Sequence, residues 1–545
     1  MKKLLLGIFS FVFTNMLFGQ SATQKYWVYF TDKNNAQYSI DQPLAYLSES
    51  AIQRRAKMGI SINYYDIPVN AEYVTAIKNL GVNVIVESRW LNAVSVETNV
   101  EQLTAIQTLP FVKNTADVKR YAIIDDSGIP IDDNILLRTT NYIESDYGGA
   151  YNQNHMIDID FLHNLGYRGQ GIKIAVLDGG FDGVNIGEGF TSLHNKNQII
   201  ETRNFPDNNE DVFFSSTHGS NVLSIMAVDN PGVYIGSAPD AQYYLFRTEV
   251  VDSERAIEED YWLQAAEYAD FIGADIINSS LGYTTFDTII DDHTYEDMDG
   301  NTTVITKAAD RAAAVGILVC NSAGNEGDGS WYYIGAPADG DSVFTIGAVD
   351  INGNSVSFSS HGPTFDGRLK PNIVGQGAGT GVVTSNGTVA YGNGTSYSSP
   401  LIAGACASFM SAFPELSNME VMDIIQSTAS QADNPDNSMG YGIPNFAKAY
   451  LELKGIDIST ENIISILPNP ASDEVTIFIN GQETGEATLY IYDISGKRVY
   501  ETSVTLWDGK LAPVYISGLD ALASGMYTVY LAGDVYQETQ KMIVR

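Results

Sequence analysis

The stretch Gly392-Asn393-Gly394-Thr395-Ser396-Tyr397-Ser398-Ser399-Pro400 runs straight into a small, apolar segment, Leu401-Ile402-Ala403-Gly404-Ala405-Cys406-Ala407-Ser408-Phe409-Met410. The glycines allow a tight turn with positive φ, and the segment after them reads as a buried helix. Pro400 lacks an N–H, which is harmless within a helix's first turn, where that donor is unpaired anyway. Ser396 then stands at a loop-to-helix junction with its hydroxyl exposed beside the positive end of the helix dipole. That position suits a nucleophile whose product is an oxyanion. It equally suits a serine that only caps a core helix, so the choice rests on the surrounding chain.

Working back from Ser396, the pattern from about residue 155 is strand–helix alternation, the sign of a parallel sheet in an α/β domain. Ile172-Lys173-Ile174-Ala175-Val176-Leu177 reads as a buried strand ending at Asp178-Gly179-Gly180, on the carboxyl edge where open α/β sheets place ligands. His218-Gly219-Ser220 opens a helix through about Ala227. Further strands are expected at 241–247, 275–278, 317–320 and 343–348, and further helices at 260–272, 304–315 and 418–427.

A serine nucleophile needs a base, and the base needs an orienting carboxylate. The chain has 6 histidines. Only His218 pairs a following glycine with the opening of an apolar helix in the sheet region. Asp178 ends a buried strand, where a carboxylate is desolvated unless it is used. Singly, Asp178 reads as a turn residue and His218 as a helix-start residue. Jointly, the order Asp, His, Ser at element ends of one α/β domain is a known chain order of the serine hydrolase triad. Asn325 closes the loop Asn321-Ser322-Ala323-Gly324-Asn325, and its amide there can donate to an oxyanion. An esterase of the Gly-x-Ser-x-Gly type is disfavoured, because the flanks of Ser396 and the chain order both differ.

These segments resemble the subtilisin family of serine peptidases, the subtilases. The residues that carry the resemblance are Ala175-Val176-Leu177-Asp178-Gly179-Gly180, His218-Gly219-Ser220, Ser322-Ala323-Gly324-Asn325 and Gly394-Thr395-Ser396-Tyr397-Ser398-Ser399-Pro400. It covers about 155–452. It departs at Asn221-Val222, where many relatives have a second histidine, and at Gly179, where Ser or Thr is frequent. The resemblance implies a subtilisin-like three-layer domain and endopeptidase action, with Asp178, His218 and Ser396 as triad and Asn325 in the oxyanion hole. It implies that Ser280, Leu281 and Gly282 hold the substrate backbone. Gly335-Ala336-Pro337 would line the pocket for the residue before the scissile bond, and Ala323 and Gly324 would complete the substrate site. An inactive adhesin or binding protein on the same fold is the alternative.

The flanks read as separate units. Residues 1–19 have a basic start, Met1-Lys2-Lys3, and an apolar run from Leu4 to Phe18, the pattern of a secretory signal peptide. Residues 20–120 read as a small α+β unit, with helices near 43–57, 71–80 and 100–108; by resemblance it is a propeptide that templates folding and inhibits. Residues 121–154 read as a linker and processing region, and 155–455 as the peptidase domain. Residues 466–545 carry short alternating runs that read as a β-sandwich. Pro468-Asn469-Pro470-Ala471, Tyr492-Asp493-Ile494-Ser495-Gly496-Lys497 and Lys541-Met542-Ile543-Val544 resemble the C-terminal sorting domain of the bacterial type IX secretion system. The location implied is the cell surface or the exterior.

Composition narrows the partners. A formal net charge of −36 argues against nucleic acid and anionic membrane as partners. The resemblance implies protein or peptide substrates, the chain's own propeptide and the type IX secretion machinery as partners. Cys320 and Cys406 sit in apolar runs and read as buried free thiols. No cofactor is required. Relatives often carry structural calcium, and Glu296-Asp297-Met298-Asp299-Gly300-Asn301 clusters oxygens. Its spacing does not match an EF-hand, and a solvated acidic loop is the preferred reading.

Overall fold

The computed structural model describes residues 23–34, 37–118, 146–251, 253–287, 291–456, 462–533 and 536–545. The expected signal peptide and most of the expected linker lie outside the described residues.

Seven parallel strands form the central sheet, in the spatial order Ile373–Gln376, Phe344–Val349, Leu318–Ser322, Ile276–Ser279, Lys173–Asp178, Gln242–Arg247, Ile199–Asn204. Most are buried on both faces, which is why they read as continuous apolar runs rather than alternations. One face is covered by the helices His218–Ala227 and Thr395–Ala412, whose Val222, Ile402 and Phe409 share a core. The other is covered by Ile257–Ile272 and Val304–Ala314, with Trp262 and Ala309 in a second core. Gly404 lets the helix Thr395–Ala412 approach both the loop at Ser237 and the helix His218–Ala227: a Cβ there would lie 2.1 Å from Ser237 Oγ and 3.2 Å from Met226 Cγ.

The chain lays down Lys173–Asp178 first, adds two strands on one side, then crosses to add the rest on the other. The order therefore reverses between Lys173–Asp178 and Ile276–Ser279. A crevice opens outside the carboxyl ends of strands at such a switch point. Asp178 and Ser280 stand on its two sides.

Three local expectations change. The helix expected over 43–57 is a short 3₁₀ turn, Pro43–Ala45, and then Glu49–Lys57, because Ser48 accepts from Ala51 N and restarts the helix. The strands Ile199–Asn204 and Ile373–Gln376 were not expected. The first is a polar edge strand and the second is four residues long. Pro400 is not in the first turn: the helix begins at Thr395, so its missing N–H would have met the Ser396 carbonyl.

The N-terminal unit is a four-stranded antiparallel sheet in the order Asn83–Ser88, Ala93–Thr98, Gln24–Phe30, Val112–Asp117. Helices Ala71–Lys78 and Val100–Gln107 cover one face through Val74, Ile77 and Ile106. Trp27 and Trp90 join the core beneath Ile257–Ile272. Three acids of that helix tie down the unit. Asp270, fully buried, pairs with Arg54, with Arg55 at 2.7 Å and with Arg89 at 2.6 Å. Asp260 accepts from Trp27 Nε1 at 2.9 Å and Ser95 Oγ at 2.7 Å. Glu267 accepts from Ser88 Oγ and from the amides of Arg89 and Trp90.

The C-terminal unit is a sandwich of a three-stranded and a four-stranded antiparallel sheet around Val475, Ile477, Leu489 and Leu531. It is docked, not dangling. Phe478 stacks on Phe161 at 6.1 Å and belongs to the core of the α/β unit. Trp507 lies 5.1 Å from Tyr151, and Lys510 pairs with Asp158 at 2.5 Å.

Candidate active site

Asp178 is the last residue of its strand and 1% exposed. Its Oδ1 accepts the Gly179 amide at 2.8 Å, and its two oxygens lie 3.0 and 2.9 Å from His218 Nδ1. His218 begins its helix. Gly219 is what lets that helix end meet the strand end, since a Cβ there would lie 2.4 Å from Gly180 O and 3.0 Å from Asp178 Cβ. Burial by itself would lower the His218 pKa. The charge of Asp178, its hydrogen bond and the charge of Glu249 outweigh this and raise it above the usual imidazole value. With Nδ1 held by Asp178, Nε2 is the nitrogen left for proton transfer.

Ser396 is the second residue of the helix Thr395–Ala412 and is half-buried. Gly394 before it has φ 148°, a conformation that favours glycine. The His218 ring lies 6.3 Å from that of Tyr397, the residue after Ser396. The Ser396 hydroxyl donates to Ser280 O at 3.4 Å.

Asn325 is fixed by the turn that carries Ser396. Its Oδ1 accepts from Thr395 N at 2.9 Å and Thr395 Oγ1 at 3.0 Å. The amide nitrogen is thereby left on the Gly394 side: a Cβ on Gly394 would lie 3.7 Å from both Asn325 Nδ2 and Ser396 N. A side-chain donor and a helix N-terminal amide thus flank one point beside Ser396. Thr395 was not singled out in the sequence, although a hydroxyl directly before a candidate nucleophile was the available signal.

The expected substrate segments also meet. Ser280, Leu281 and Gly282 leave the carboxyl end of Ile276–Ser279, and Asn321 Nδ2 donates to Leu281 O at 3.0 Å. Tyr283 and Ala336 pair across an antiparallel bridge, at 2.8 and 3.1 Å, which sets Gly335 beside the same segment. Gly282 is exposed, so an extended chain has access to this edge. Ala323 is buried and bonded to Ile346 O. Gly324 has φ 103°, and a Cβ there would lie 2.8 Å from Ser360 Oγ.

Glu249 was missed. It follows the strand Gln242–Arg247, accepts the Tyr283 hydroxyl, and is raised to about 7 by burial, with the charge of Asp178 adding to the effect. Nothing in its local sequence marks it, because its partners come from distant loops.

The remaining histidines are engaged elsewhere. His163 is buried between Tyr147 Oη and Ser237 O, His155 meets Asp160, His194 meets Val184 O, His293 meets Glu259, and His361 stacks on Tyr332. Cys320 and Cys406 are free and buried. In the 296–301 loop, Asp297 accepts from Thr294 and Asp299 from Asn301 and Thr302. These oxygens are turned onto their own backbone turns and do not assemble the shared cage that calcium needs.

The model of the Subtilase family matches residues 169–442. The chain belongs to the subtilase family. A model described as the peptidase S8 propeptide domain of Bacteroidota matches residues 25–127, and one described as a secretion system C-terminal sorting domain matches 465–545. The chain is 31% identical to subtilisin E of Bacillus subtilis (strain 168) over 279 residues, 50% of this chain and 64% of that protein. It therefore spans somewhat less than two thirds of that relative. It is 30% identical to subtilisin DY of Bacillus licheniformis, over 53% of this chain and 93% of that protein. The solved structure of the epidermin leader peptide processing serine protease from Staphylococcus aureus aligns at a TM-score of 0.53 and 17% identity, over 81% of this subtilase and all of that chain. The last likeness speaks for the fold alone.

Proposed function

We propose that this subtilase is a secreted serine endopeptidase that hydrolyses peptide bonds of proteins through an acyl-enzyme. Asp178, His218 and Ser396 act as its triad and Asn325 as oxyanion donor. The observation that carries the reading is the pairing of Asp178 with His218 Nδ1 at the switch point of the sheet, beside a helix whose first turn bears Ser396 and clamps Asn325. The substrate lies as an extended strand along Ser280, Leu281 and Gly282, with Ala323, Gly324 and Gly335 around the side chain before the scissile bond.

In this mechanism the Ser396 hydroxyl leaves Ser280 O, gives its proton to His218 Nε2, and attacks the carbonyl carbon. Asn325 Nδ2 and the Ser396 amide hold the oxyanion, the side-chain donor being worth ~10²–10³ in rate. His218 returns the proton to the leaving amine, and water then releases the acid by the same route. Asp178 holds the tautomer and stabilises the imidazolium. No cofactor enters these steps.

We assign residues 1–19 to the signal peptide, 20–120 to the propeptide, 121–154 to the linker and processing region, 155–455 to the peptidase domain and 466–545 to the type IX sorting domain. Ser396→Ala should abolish peptide hydrolysis and labelling by a fluorophosphonate while leaving the fold intact by circular dichroism. Unchanged turnover in that variant rejects the nucleophile. A folded, matured parent chain that neither cleaves nor labels favours an inactive binding protein on the same fold.

A further inference from the structure

Pro400 removes one hydrogen bond from the helix Thr395–Ala412, and the acceptor it orphans is the carbonyl of Ser396. That carbonyl is not left bare. Ser280 Oγ donates to it at 3.0 Å. Ser280 is 6% exposed and lies just past the strand Ile276–Ser279, across the crevice from Asp178. Its hydroxyl is itself steered: Asn278 Nδ2 reaches it at 3.5 Å, and Asn278 Oδ1 accepts from Ser399 Oγ at 3.0 Å. Asn278 and Ser399 are both fully buried. A chain of contacts thus runs from the end of the strand to the first two turns of the helix.

The geometry points to Ser280 as a positioning residue for Ser396, its hydroxyl supplying the helix hydrogen bond that Pro400 cannot. The Ser396 carbonyl and the Tyr397 amide share one peptide plane. Its tilt is set by ψ of Ser396, so it governs how the first turn is oriented at Ser396 and with it where the hydroxyl points. A half-buried carbonyl without a protein partner turns toward whatever donor it can reach, and the first turn tilts with it. Small displacements of a reacting atom are expensive in rate. The role differs from the backbone contact assigned to Ser280 above, because it belongs to the side chain and concerns the enzyme's own helix. It rests on the reading of Ser396 as nucleophile.

The proposal specifies a rescue. Pro400→Ala restores an N–H aimed at the Ser396 carbonyl, so the Ser280 hydroxyl becomes dispensable in that background. The test compares the full chain with Ser280→Ala, Ser280→Thr, Pro400→Ala and the double variant Ser280→Ala with Pro400→Ala. Any unprocessed variant is matured in trans by a tagged parent enzyme that is then removed on resin. Ser280→Ala should lower kcat and the fluorophosphonate labelling rate about tenfold with KM within about twofold, and Ser280→Thr should keep most activity. Adding Ser280→Ala to Pro400→Ala should cost less than about threefold. An equal loss in both backgrounds, or a loss confined to KM or to thermal stability, overturns the assignment. So does a Ser280→Ala chain that stays unfolded even with Pro400→Ala. Absence of label on Ser396 in the parent chain sinks the nucleophile and this inference together. Label on Ser396 with no dependence on Pro400 sinks only this inference.

Discussion

Asp178 presents both oxygens to His218 Nδ1, and this pair sets the pH response of the proposed enzyme. The base works only when neutral. Its pKa is raised above the ordinary imidazole value, against a burial effect that lowers it, by Asp178 and more weakly by Glu249. The acid limb of kcat/KM should therefore have its midpoint above about 6.5, the unperturbed value, and activity should be lost as pH falls through it. Asp178→Asn removes the charge, so the midpoint should move down while kcat drops by about 10⁴. A pH–rate profile of the two enzymes checks both, and a profile flat from about pH 5 to 9 excludes a histidine base. At this scale position was the most legible feature, since Asp178, His218 and Ser396 each sit at a strand or helix end that pattern alone locates, and Asn325 sits in the loop after Leu318–Ser322. Thr395, Glu249 and the side-chain role of Ser280 were not legible, because each depends on a partner brought from another loop.

Among the elements, the helix Ile257–Ile272 has the most to do, since it closes one face of the sheet and carries the N-terminal unit. Long periodic or apolar elements such as His218–Ala227 and Asn418–Ser427 were readable residue by residue. The strands Ile199–Asn204 and Ile373–Gln376 were not, because a polar edge and a four-residue run carry little pattern. The roles of the acids of Ile257–Ile272 were not legible either, because Asp260, Glu267 and Asp270 find their partners on the N-terminal unit, far away in sequence. Burial raises Asp260 to about 7, the hydrogen bonds from Ser95 and Trp27 only partly opposing it. In the docked state the neutral carboxyl is thus favoured relative to the exposed one. That contribution to docking is fully present below the free carboxyl's range and is lost as pH rises through about 7. After processing, the separate propeptide should bind mature enzyme more weakly at pH 8 than at pH 5. Asp260→Asn should flatten the difference. Inhibition constants of the two enzymes over that range measure it, and identical slopes would remove Asp260 from the account.

Across the molecule, three units were legible from composition and turn signals, but their mutual packing was not. The parallel sheet pairs strands distant in sequence, and such pairs must close before they stabilise anything. The N-terminal unit packs on Ile257–Ile272, the helix that closes one face of that sheet, which places it to template the sheet's assembly. A chain beginning at about residue 150 should remain inactive with loose tertiary packing, and residues 21–120 added as a separate chain should rescue folding and then inhibit. Near-ultraviolet circular dichroism and activity follow the two stages; unaided folding to full activity without inhibition would make the N-terminal unit a binding module.

The C-terminal unit raises the opposite question, since a sorting signal that is removed or masked need not touch the domain it exports. Here it does. Phe478 stacks on Phe161, Trp507 lies against Tyr151 and His155, and Lys510 bonds Asp158 and the His155 carbonyl. Deleting 466–545 uncovers these groups and leaves Asp158 without its cation. Asp158 is 7% exposed in the full chain, but the deletion returns it to water, so the lost ion pair is not left buried and uncompensated. The expected cost is the apolar contact of a few side chains, about 2–4 kcal/mol, rather than loss of the fold. The deleted chain should melt several degrees lower, keep its kcat because the crevice is built by other elements, and fail to leave the periplasm. Phe478→Ala with Trp507→Ala in the full chain should reproduce the drop in Tm without affecting export. If that variant melts like the parent, the docked arrangement contributes nothing to stability. If the deleted chain reaches the exterior normally, residues 466–545 are not the sorting signal.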